Sequence, residues 1–370
     1  MISCAIPSLP RRAKLLHRTA LGCAAGIIIL SAGGCIQSPP DPASSAPGTT
    51  ARASLIEQSQ LTMGSTLRLT AWSADAAGVR REFEDVFAEF RRLETLMSTW
   101  VTDSEIRRVN RAAGLTPVKA SLEVREVLQA ARDASESTGG KFDVTFGALA
   151  GLWKFDHDQD SILPDMRRVR ALLPLIDYRA VHVDDASETV FIARKGMSIH
   201  LGGIGKGYAI DRGADILRRR GVRDFMIQSG GDIYVSGLKD GRPWRLGIQD
   251  PRAPAIRIFA ELDLSDGTFS TSGDYERFFM KDGRRYHHIL DPATGEPARG
   301  ARSVTIVANR AVIADALSTG VFVMGPAAGM ALIERLPDVE GVIVSDKNKV
   351  LISSGLRGRI RLVEAPTDAP

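Results

Sequence analysis

The segment His200–Asp211 combines four glycines, one lysine and the start of a helix within twelve residues. Glycines let the backbone approach a ligand closely, and a helix N-terminus presents free N–H groups to anions. The pattern is not a P-loop, because Lys206 is followed by Gly207 and not by Ser or Thr, and the glycine spacing does not fit the dinucleotide-binding fingerprint. The segment predicts either a site for phosphate or a metal–phosphate pair, or a tight strand-to-helix turn whose glycines serve geometry alone.

A second candidate lies on an apolar helix further along the chain. Asp315 and Thr319 are four residues apart, so their side chains share one face of that helix. A buried carboxylate is costly unless it is paired or bound to a cation, and Mg²⁺ prefers carboxylate, hydroxyl and backbone oxygens. The pair therefore predicts a magnesium site. The alternative is that Asp315 caps the helix and Thr319 has no chemical role.

Two adjacent histidines, His287 and His288, precede the turn signal Asp291-Pro-Ala-Thr-Gly295. Adjacent residues of a strand face opposite sides, so at most one of these histidines can enter a site. A histidine near a metal-bound phosphate is a natural general base for a hydroxyl nucleophile. The alternative is a surface pair of histidines at the end of a strand.

Three further stretches contain residues that could line a ligand site. Asp143 could accept hydrogen bonds from a base or a ribose, although turn chemistry also explains an aspartate at this position. Trp100 could stack on a flat heterocycle or pack against the preceding helix. The hydroxyl-rich stretch Ser270–Asp274 could line a polar pocket or form a turn.

Apolar periodicity predicts the scaffold that must position these residues. A hairpin is predicted over Ser54–Ala71, and helices are predicted over Asp75–Met97, Ser121–Ser137, Ala209–Arg219 and Ala311–Met324. Strands are predicted at 225–228, 233–235, 244–248, 303–308 and 341–344. Because strands and helices interleave without strict βαβ alternation, we expect an α+β (mixed α/β) fold, with mixed sheets and flanking helices.

Charge and cysteine positions limit the function classes. The chain of 370 residues has a formal net charge of +4, but four basic residues and no acid lie within residues 1–34, so the remainder is formally neutral. We therefore expect no nucleic-acid partner. The three cysteines all lie within the first 35 residues, so the globular part can hold no disulfide, thiolate metal site or cysteine nucleophile.

The N-terminus is typical of an exported bacterial lipoprotein. A basic region precedes the apolar run Ala20–Leu30, which is too short to span a membrane comfortably. Small residues lead into Cys35, as in a lipobox, although Ala32 stands where a leucine is usual. The alternative is a simple secretory peptide that is cut nearby.

These features predict four regions. A lipoprotein signal peptide is expected at 1–34, a flexible Pro/Ser-rich tether at 35–53, a globular domain at 54–360 and a disordered tail at 361–370. Lipidation of Cys35 would anchor the chain to a membrane of the bacterial cell envelope, facing the periplasm. Ile36, directly after the cysteine, favours the outer membrane over the inner one.

Seven ordered stretches together resemble the ApbE family, the FAD:protein FMN transferases. They span about residues 55–355 and are Met63-Gly64, Met97-Ser-Thr-Trp100, Phe142-Asp-Val-Thr145, Leu201-Gly-Gly-Ile-Gly-Lys-Gly-Tyr208, Gly230-Gly-Asp-Ile233, His288-Ile-Leu-Asp-Pro-Ala-Thr-Gly295 and Ala314-Asp-Ala-Leu-Ser-Thr319. Seven motifs in order are far more specific than any one of them. Many family members are bacterial lipoproteins, which agrees with the N-terminus. The resemblance implies an ApbE-like fold and a flavin transferase domain at 54–360.

The resemblance also implies a reaction and a set of site residues. FMN would pass from FAD to a Thr or Ser hydroxyl of a target flavoprotein, AMP would leave, and Mg²⁺ would sit at the pyrophosphate. Positioning and charge neutralisation carry most of the rate in phosphoryl transfer. By motif position, the metal ligands would be Asp315, Ser318, Thr319 and the Gly205 carbonyl, the base would be His288, and the contacts to FAD would come from Met63, Trp100, Phe142, Asp143, Val144, Gly203, Lys206, Tyr208 and Ile289.

Two residues depart from the family pattern. His200 stands where the family usually has Asp, which removes a carboxylate near the implied metal and could change metal affinity or choice. Gly205 replaces a frequent Ala, which is harmless for a carbonyl ligand. Two rival functions remain: an Mg-dependent FAD pyrophosphatase giving FMN and AMP, which would use the same pocket, and a non-catalytic flavin-binding lipoprotein. Retention of Asp315, Thr319 and His288 argues against the second rival.

Overall fold

The computed structural model describes residues 52–155 and 159–369. The predicted signal peptide, Cys35 and nearly all of the tether lie outside the described residues. All described residues fall within one unit, Thr50–Pro370, by their internal contacts. Among them, no helix combines the length and apolar character needed to cross a membrane.

Sixteen strands and seven α-helices form the described part of the chain. The strands are β1 (Ser54–Thr62), β2 (Ser65–Ser73), β3 (Val118–Lys119), β4 (Val181–Asp184), β5 (Thr189–Ile192), β6 (Phe225–Ser229), β7 (Asp232–Ser236), β8 (Trp244–Gln249), β9 (Ile258–Leu264), β10 (Gly267–Gly273), β11 (Phe278–Lys281), β12 (Arg284–His287), β13 (Ala301–Ala308), β14 (Glu340–Ser345), β15 (Val350–Ile352) and β16 (Ile360–Leu362). The helices are α1 (Ala76–Met97), α2 (Glu105–Arg111), α3 (Leu122–Ser137), α4 (Met166–Leu172), α5 (Gly205–Arg219), α6 (Ala311–Met324) and α7 (Pro326–Ile333).

The largest sheet has eight strands in the order β1-β2-β6-β7-β10-β13-β14-β15, and each neighbouring pair is antiparallel. Three smaller sheets have the strand orders β16-β9-β8, β3-β5-β4 and β11-β12. The predicted α+β class with flanking helices is confirmed, because helices flank the main sheet and no βαβ unit organises it. The predicted mixed sheets are antiparallel instead, since all named strand pairs among the described residues run antiparallel.

Helix α1 shows how the apolar pattern builds the core. Its buried residues recur at three- and four-residue steps and include Phe83, Phe87 and Phe90. Asp75 caps the helix by accepting a hydrogen bond from the backbone N–H of Gly78 at 2.8 Å. The buried face packs against β1, β2 and α5. The predicted helix and the predicted hairpin before it are therefore both confirmed.

Helix α6 is buried on nearly every side, and its bounds are those predicted. It packs against β10, β13 and α5, and its apolar residues form a second core cluster with the inner face of β13. A helix that is apolar all round belongs in a core, so polar residues on it need partners. Helix α6 thus places its few polar side chains under the strands of the main sheet.

The predicted disordered tail is wrong for its described residues. β16 pairs with β9, and the backbone N–H and hydroxyl of Thr367 donate to one carboxylate oxygen of Asp250 at 2.9 and 2.7 Å. Arg302 donates to the Thr367 carbonyl at 3.1 Å. The tail lacks apolar periodicity, but it supplies donors that the buried Asp250 requires, and this need is invisible in the tail sequence itself.

Candidate active site

Three polar side chains lie together on one face of α6. Asp315, Ser318 and Thr319 follow the i, i+3, i+4 spacing, and Asp315 is only 3% exposed. Helix α6 begins at Ala311, so Asp315 lies in its second turn. The alternative that Asp315 is an N-cap is therefore wrong. A buried carboxylate inside a helix needs partners from another element.

The N-terminus of α5 supplies the first of these partners. The backbone N–H of Gly207 donates to Asp315 Oδ2 at 2.9 Å. A Cβ at Gly207 would lie 2.3 Å from the Ala311 carbonyl and 2.7 Å from the Cβ of Asp315, so only glycine permits this approach of α5 and α6. The helix was predicted to begin at Ala209 but begins at Gly205, because these glycines pack two helices together and do not form a loop before the helix.

Lys206 and Asp232 complete a buried charge cluster with Asp315. The Lys206 ammonium contacts an Asp232 carboxylate oxygen and lies 3.9 Å from Asp315 Oδ1, while Ser270 donates to the other Asp232 oxygen. Burial raises the pKa of Asp315 well above its ordinary value, and the charge of Asp232 adds to the shift. Burial lowers the pKa of Lys206, but the charges of Asp232 and Asp315 outweigh this effect and raise it.

Strand β10 faces this cluster with hydroxyl groups. Ser270 and Ser272 share one face of the strand, as alternation requires. The Ser272 hydroxyl lies 2.8 Å from the Ser318 hydroxyl and 3.2 Å from that of Thr319. The stretch that the sequence left open between a polar pocket and a turn therefore lines a polar site.

Asp232 was not among the predicted site residues, whereas Ser270 and Ser272 belong to the stretch that could line a polar pocket. A signal for Asp232 exists in the preceding glycines. Gly230 has φ of +60°, and a Cβ at Gly231 would lie 2.7 Å from the Thr271 carbonyl. The pair makes a tight turn against β10 and so places Asp232 at the start of β7, beside Ser270.

The glycine segment also meets three residues predicted to contact a ligand. A Cβ at Gly203 would lie 3.3 Å from the Phe142 ring and 3.4 Å from the Thr319 hydroxyl. A Cβ at Gly205 would lie 3.7 Å from the terminal methyl of Met63. The structure thus brings Met63, Phe142, Gly203, Gly205 and Thr319 to one place, although they are far apart in sequence.

The two histidines at the end of β12 have different surroundings, as alternation predicts. His287 is buried, its Nε2 donates to the Ala298 carbonyl at 2.9 Å, and its ring and that of Phe322 form a T-shaped pair. His288 Nδ1 is buried and has no hydrogen-bond partner among the residues that the structure describes. Burial lowers the pKa of His288 to about 3, and the positive charge of Arg277 adds to the shift. His288 is therefore neutral at physiological pH and has an unsatisfied ring nitrogen.

Four other predicted contacts lie deeper or further out. Tyr208 is 3% exposed, and its hydroxyl donates to Glu126 at 2.5 Å. Val144 and Ile289 are buried, each in a different core cluster. Trp100 is 70% exposed, so core packing is not its role. Contacts of these residues to a ligand stay predictions.

Asp143 performs turn chemistry. Its Oδ1 accepts hydrogen bonds from the backbone N–H and the hydroxyl of Thr145 at 2.8 and 2.6 Å, and its Oδ2 accepts one from the Tyr178 N–H at 2.9 Å. This is the alternative that the sequence left open for Asp143. A contact from Asp143 to a base or ribose also stays a prediction.

The oxygen donors of this site suit Mg²⁺, which does not need a full set of protein ligands. Within 52–155 and 159–369, no group of three His, Cys, Asp or Glu side chains could hold a metal ion. Mg²⁺ is usually bound by one or two carboxylates together with substrate phosphates and water. The buried carboxylate of Asp315, whose pKa is raised, shares one face of α6 with the hydroxyls of Ser318 and Thr319. The Ser318 hydroxyl donates to the Asp315 backbone carbonyl at 2.9 Å. Lys206 alone faces the two carboxylates of Asp232 and Asp315. A bound divalent cation would neutralise the negative charge that this lysine leaves uncompensated.

Comparison with known proteins decides the family. The family profile described as "ApbE family" matches residues 63–343. This match spans well over half of the chain and every motif residue of the site. The chain belongs to the ApbE family. The resemblance predicted from the seven motifs is therefore confirmed.

Curated relatives and solved structures of the ApbE family agree with this assignment. The FAD:protein FMN transferase of Treponema pallidum is 33% identical over 334 residues, which cover 86% of this chain and 92% of that protein. The crystal structure of the ApbE protein from Thermotoga maritima matches with a TM-score of 0.77 at 33% identity, covering 83% of this chain and 100% of that one. The flavin transferase ApbE from Vibrio cholerae matches with a TM-score of 0.75 at 28% identity, covering 83% and 99%.

Proposed function

We propose that this ApbE-family protein is an FAD:protein FMN transferase, which attaches FMN to a Thr or Ser hydroxyl of a target flavoprotein and releases AMP. One observation carries the proposal. Asp315 and Thr319 on α6 meet the glycine-rich segment at the start of α5, in a family whose curated relatives bear this name. A helix N-terminus, a lysine and oxygen ligands for a cation together suit a pyrophosphate.

The metal would be Mg²⁺, held by Asp315, Ser318, Thr319 and the carbonyl of Gly205. A carbonyl oxygen has two lone pairs, so the Gly205 carbonyl can serve both its helix and a ligand. When bound, the ion would neutralise charge on the phosphates and orient them. Lys206 would add a fixed positive charge beside them, since its ammonium stays protonated between two carboxylates.

FAD would lie along the glycine segment. The missing Cβ of Gly203 leaves room for a phosphate against Thr319. Met63 and Phe142 border the same place and present apolar surface, and the exposed ring of Trp100 can stack on the flavin. The protein's task is thus to hold the FMN phosphorus in line with an incoming hydroxyl.

His288 would accept the proton of that hydroxyl. Its imidazole is neutral, and its Nδ1 is free to accept among the described residues. The hydroxyl oxygen then forms a bond to the FMN phosphorus while the bond to the bridging oxygen breaks. AMP leaves with that oxygen and its electron pair. Phosphate charge near the ring would raise the pKa of His288 and so favour the transfer.

The direct test is a flavinylation assay. The protein is incubated with FAD, Mg²⁺ and a flavoprotein subunit that carries an acceptor threonine. We expect a fluorescent target band that survives SDS and is absent when EDTA replaces Mg²⁺. Accumulation of FMN and AMP without a labelled target would overturn the transferase and favour the FAD pyrophosphatase. Flavin bound without turnover would favour the non-catalytic lipoprotein.

We also propose that the protein is a lipoprotein of the bacterial cell envelope, facing the periplasm. The support is the basic region, the short apolar run and the small residues that lead to Cys35. Mature protein should begin at an acylated Cys35 in intact-mass measurement. Cys35→Ser should move it from the membrane fraction to the soluble periplasmic fraction, and an unchanged distribution would contradict the anchor.

A further inference from the structure

A groove of about 350 Å³ opens beside the start of the glycine segment. Its walls come from α2 and from the segment Ser198–His200, and Thr99 borders it next to Trp100. None of the residues to which a metal or FAD role was assigned above lines this groove. It is therefore a separate feature that adjoins the proposed transfer site.

The groove is positively charged. Arg107 and Arg111, one turn apart on α2, both line it, and no Asp or Glu lines it among the described residues. Neither arginine forms an ion pair within the part of the chain that the structure describes, whereas their neighbour Arg108 lies 3.7 Å from Glu105. Two guanidinium groups in a concave site, with no carboxylate against them, suit an anionic ligand.

The groove is built rigidly onto the glycine segment. The Asn110 side chain donates to the Ile199 carbonyl at 2.9 Å and accepts from the Ile199 N–H at 2.7 Å, which ties α2 to this segment. A Cβ at Gly147 would lie 2.5 Å from the Ser198 carbonyl, so the opposite wall also approaches closely. His200 is three residues from Gly203, which limits their separation to about 11 Å.

The charges of FAD do not account for this groove. The negative charges of FAD are on its pyrophosphate, which the proposed function places against Gly203 and Thr319, and its two ring systems are neutral. The other substrate of the proposed reaction, the acceptor protein, can supply an anion for Arg107 and Arg111. Residues four apart on a helix have Cβ atoms about 6 Å apart, close to the spacing of alternate residues in an extended segment.

We propose that this groove docks an acidic segment of the acceptor flavoprotein, with Arg107 and Arg111 each contacting a carboxylate. This proposal rests on the proposed function, and it explains how the enzyme would select its protein substrate. Docking at this distance would hold the acceptor hydroxyl near the FMN phosphorus. The groove would therefore govern acceptor affinity and leave FAD binding to the glycine segment.

The test is the variant Arg107→Glu/Arg111→Glu in the full chain. Steady-state flavinylation should show an acceptor KM raised about tenfold or more. The introduced glutamates would repel the acidic segment, which slows its association and removes its contacts with the two arginines. The kcat at saturating acceptor and the Kd for FAD, followed by flavin fluorescence, should be unchanged. The wild-type acceptor KM should also rise with salt, and this dependence should weaken in the variant.

Two controls distinguish an effect of charge in the groove from an effect of net charge and from a loss of folding. Arg80→Glu/Arg81→Glu makes the same change at two exposed arginines on α1 and should leave the acceptor KM unchanged. If the glutamate variant unfolds, Arg107→Gln/Arg111→Gln gives the same readout without introducing negative charge. Replacing acidic acceptor residues with lysine should restore a low acceptor KM with the glutamate variant.

The outcomes are distinguishable. An acceptor KM that does not change overturns the docking proposal while the transferase stands. A raised Kd for FAD with an unchanged acceptor KM overturns it also, and assigns the groove to FAD. Failure of the wild-type protein to label any acceptor overturns the proposed function itself, before either variant is made.

Discussion

The Lys206 ammonium lies 3.9 Å from Asp315 Oδ1 and in direct contact with Asp232, so one lysine balances two carboxylates from different elements. Asp315 and Asp232 are each about 3% exposed. Lys206 is on the first turn of α5, Asp232 begins β7 and Asp315 lies within α6. The cluster therefore joins three elements at the point where the glycine segment meets α6, and its charge balance decides both stability and cation binding.

Lys206→Met should destabilise the metal-free protein by about 3–5 kcal/mol, because it leaves buried carboxylates without a counter-ion. Chemical unfolding in EDTA measures this directly. Part of the loss should return in Lys206→Met/Asp232→Asn, which removes one of the uncompensated charges. Lys119 pairs with Glu188 at 3.7 Å on the surface, so Lys119→Met should change stability by less than about 1 kcal/mol. Equal effects at Lys206 and Lys119 would contradict the buried-cluster account.

The metal-free protein should lose stability as the pH rises from about 4 through neutrality. The folded pKa of Asp315 is raised by burial and by Asp232, so over this range the folded state holds a proton that the unfolded chain has lost. The stability that this proton supplies is present below the unfolded pKa and is lost as the pH passes the folded one. Thermal unfolding across this range in EDTA measures the slope, and Asp315→Asn should flatten it.

Mg²⁺ should reverse this slope, because cation binding requires the ionised carboxylate and releases its proton. The measured quantity is the shift in Tm on adding Mg²⁺ at each pH, which should grow with pH in the wild type. Asp315→Asn should show no such shift. A Mg²⁺-dependent shift that survives in this variant would show that the cation binds elsewhere. This readout does not depend on catalytic turnover.

Helices with strong apolar periodicity could be predicted from the sequence, and the site could be predicted only in part. The spacing of Asp315 and Thr319 on an apolar stretch needs no tertiary information, and α6 has the predicted bounds. The start of α5 was misplaced because Gly205 and Gly207 are poor helix formers locally, and their reason for being there is the close approach of α6. Asp232 could not be placed beside Lys206 because that proximity depends on the strand order of the main sheet.

His288→Asn should lower the rate of FMN transfer by about 10²- to 10⁴-fold while FAD binding is retained, as expected for loss of a general base. The measurement is single-turnover flavinylation together with FAD titration. His287→Asn is the matched control, because His287 donates to the Ala298 carbonyl and should affect stability more than rate. If both variants turned over alike at equal folded fraction, His288 would have no special part in the chemistry.

The C-terminal tail should stabilise the fold through Asp250. Burial raises the pKa of Asp250, but hydrogen bonds from Arg257 and Thr367 outweigh it and lower the pKa to about 2. A depressed folded pKa gives stability that is present above the unfolded pKa and is lost as the pH falls through the folded one. Asp250→Asn should therefore cost about 1–2 kcal/mol at neutral pH, and its difference from wild type should shrink below about pH 4.

Truncation after Glu364 separates the tail's contribution from that of Arg257. It removes the two Thr367 donors and leaves the arginine, so the truncated protein should lose part of the Asp250 stabilisation and keep the same direction of pH dependence. Asp263→Asn is the matched control for Asp250→Asn, since Asp263 is half exposed and pairs with Arg245 on the surface. A truncated protein as stable as wild type at every pH would mean that Asp250 is satisfied without the tail, because its remaining donors would then suffice to keep its charge buried.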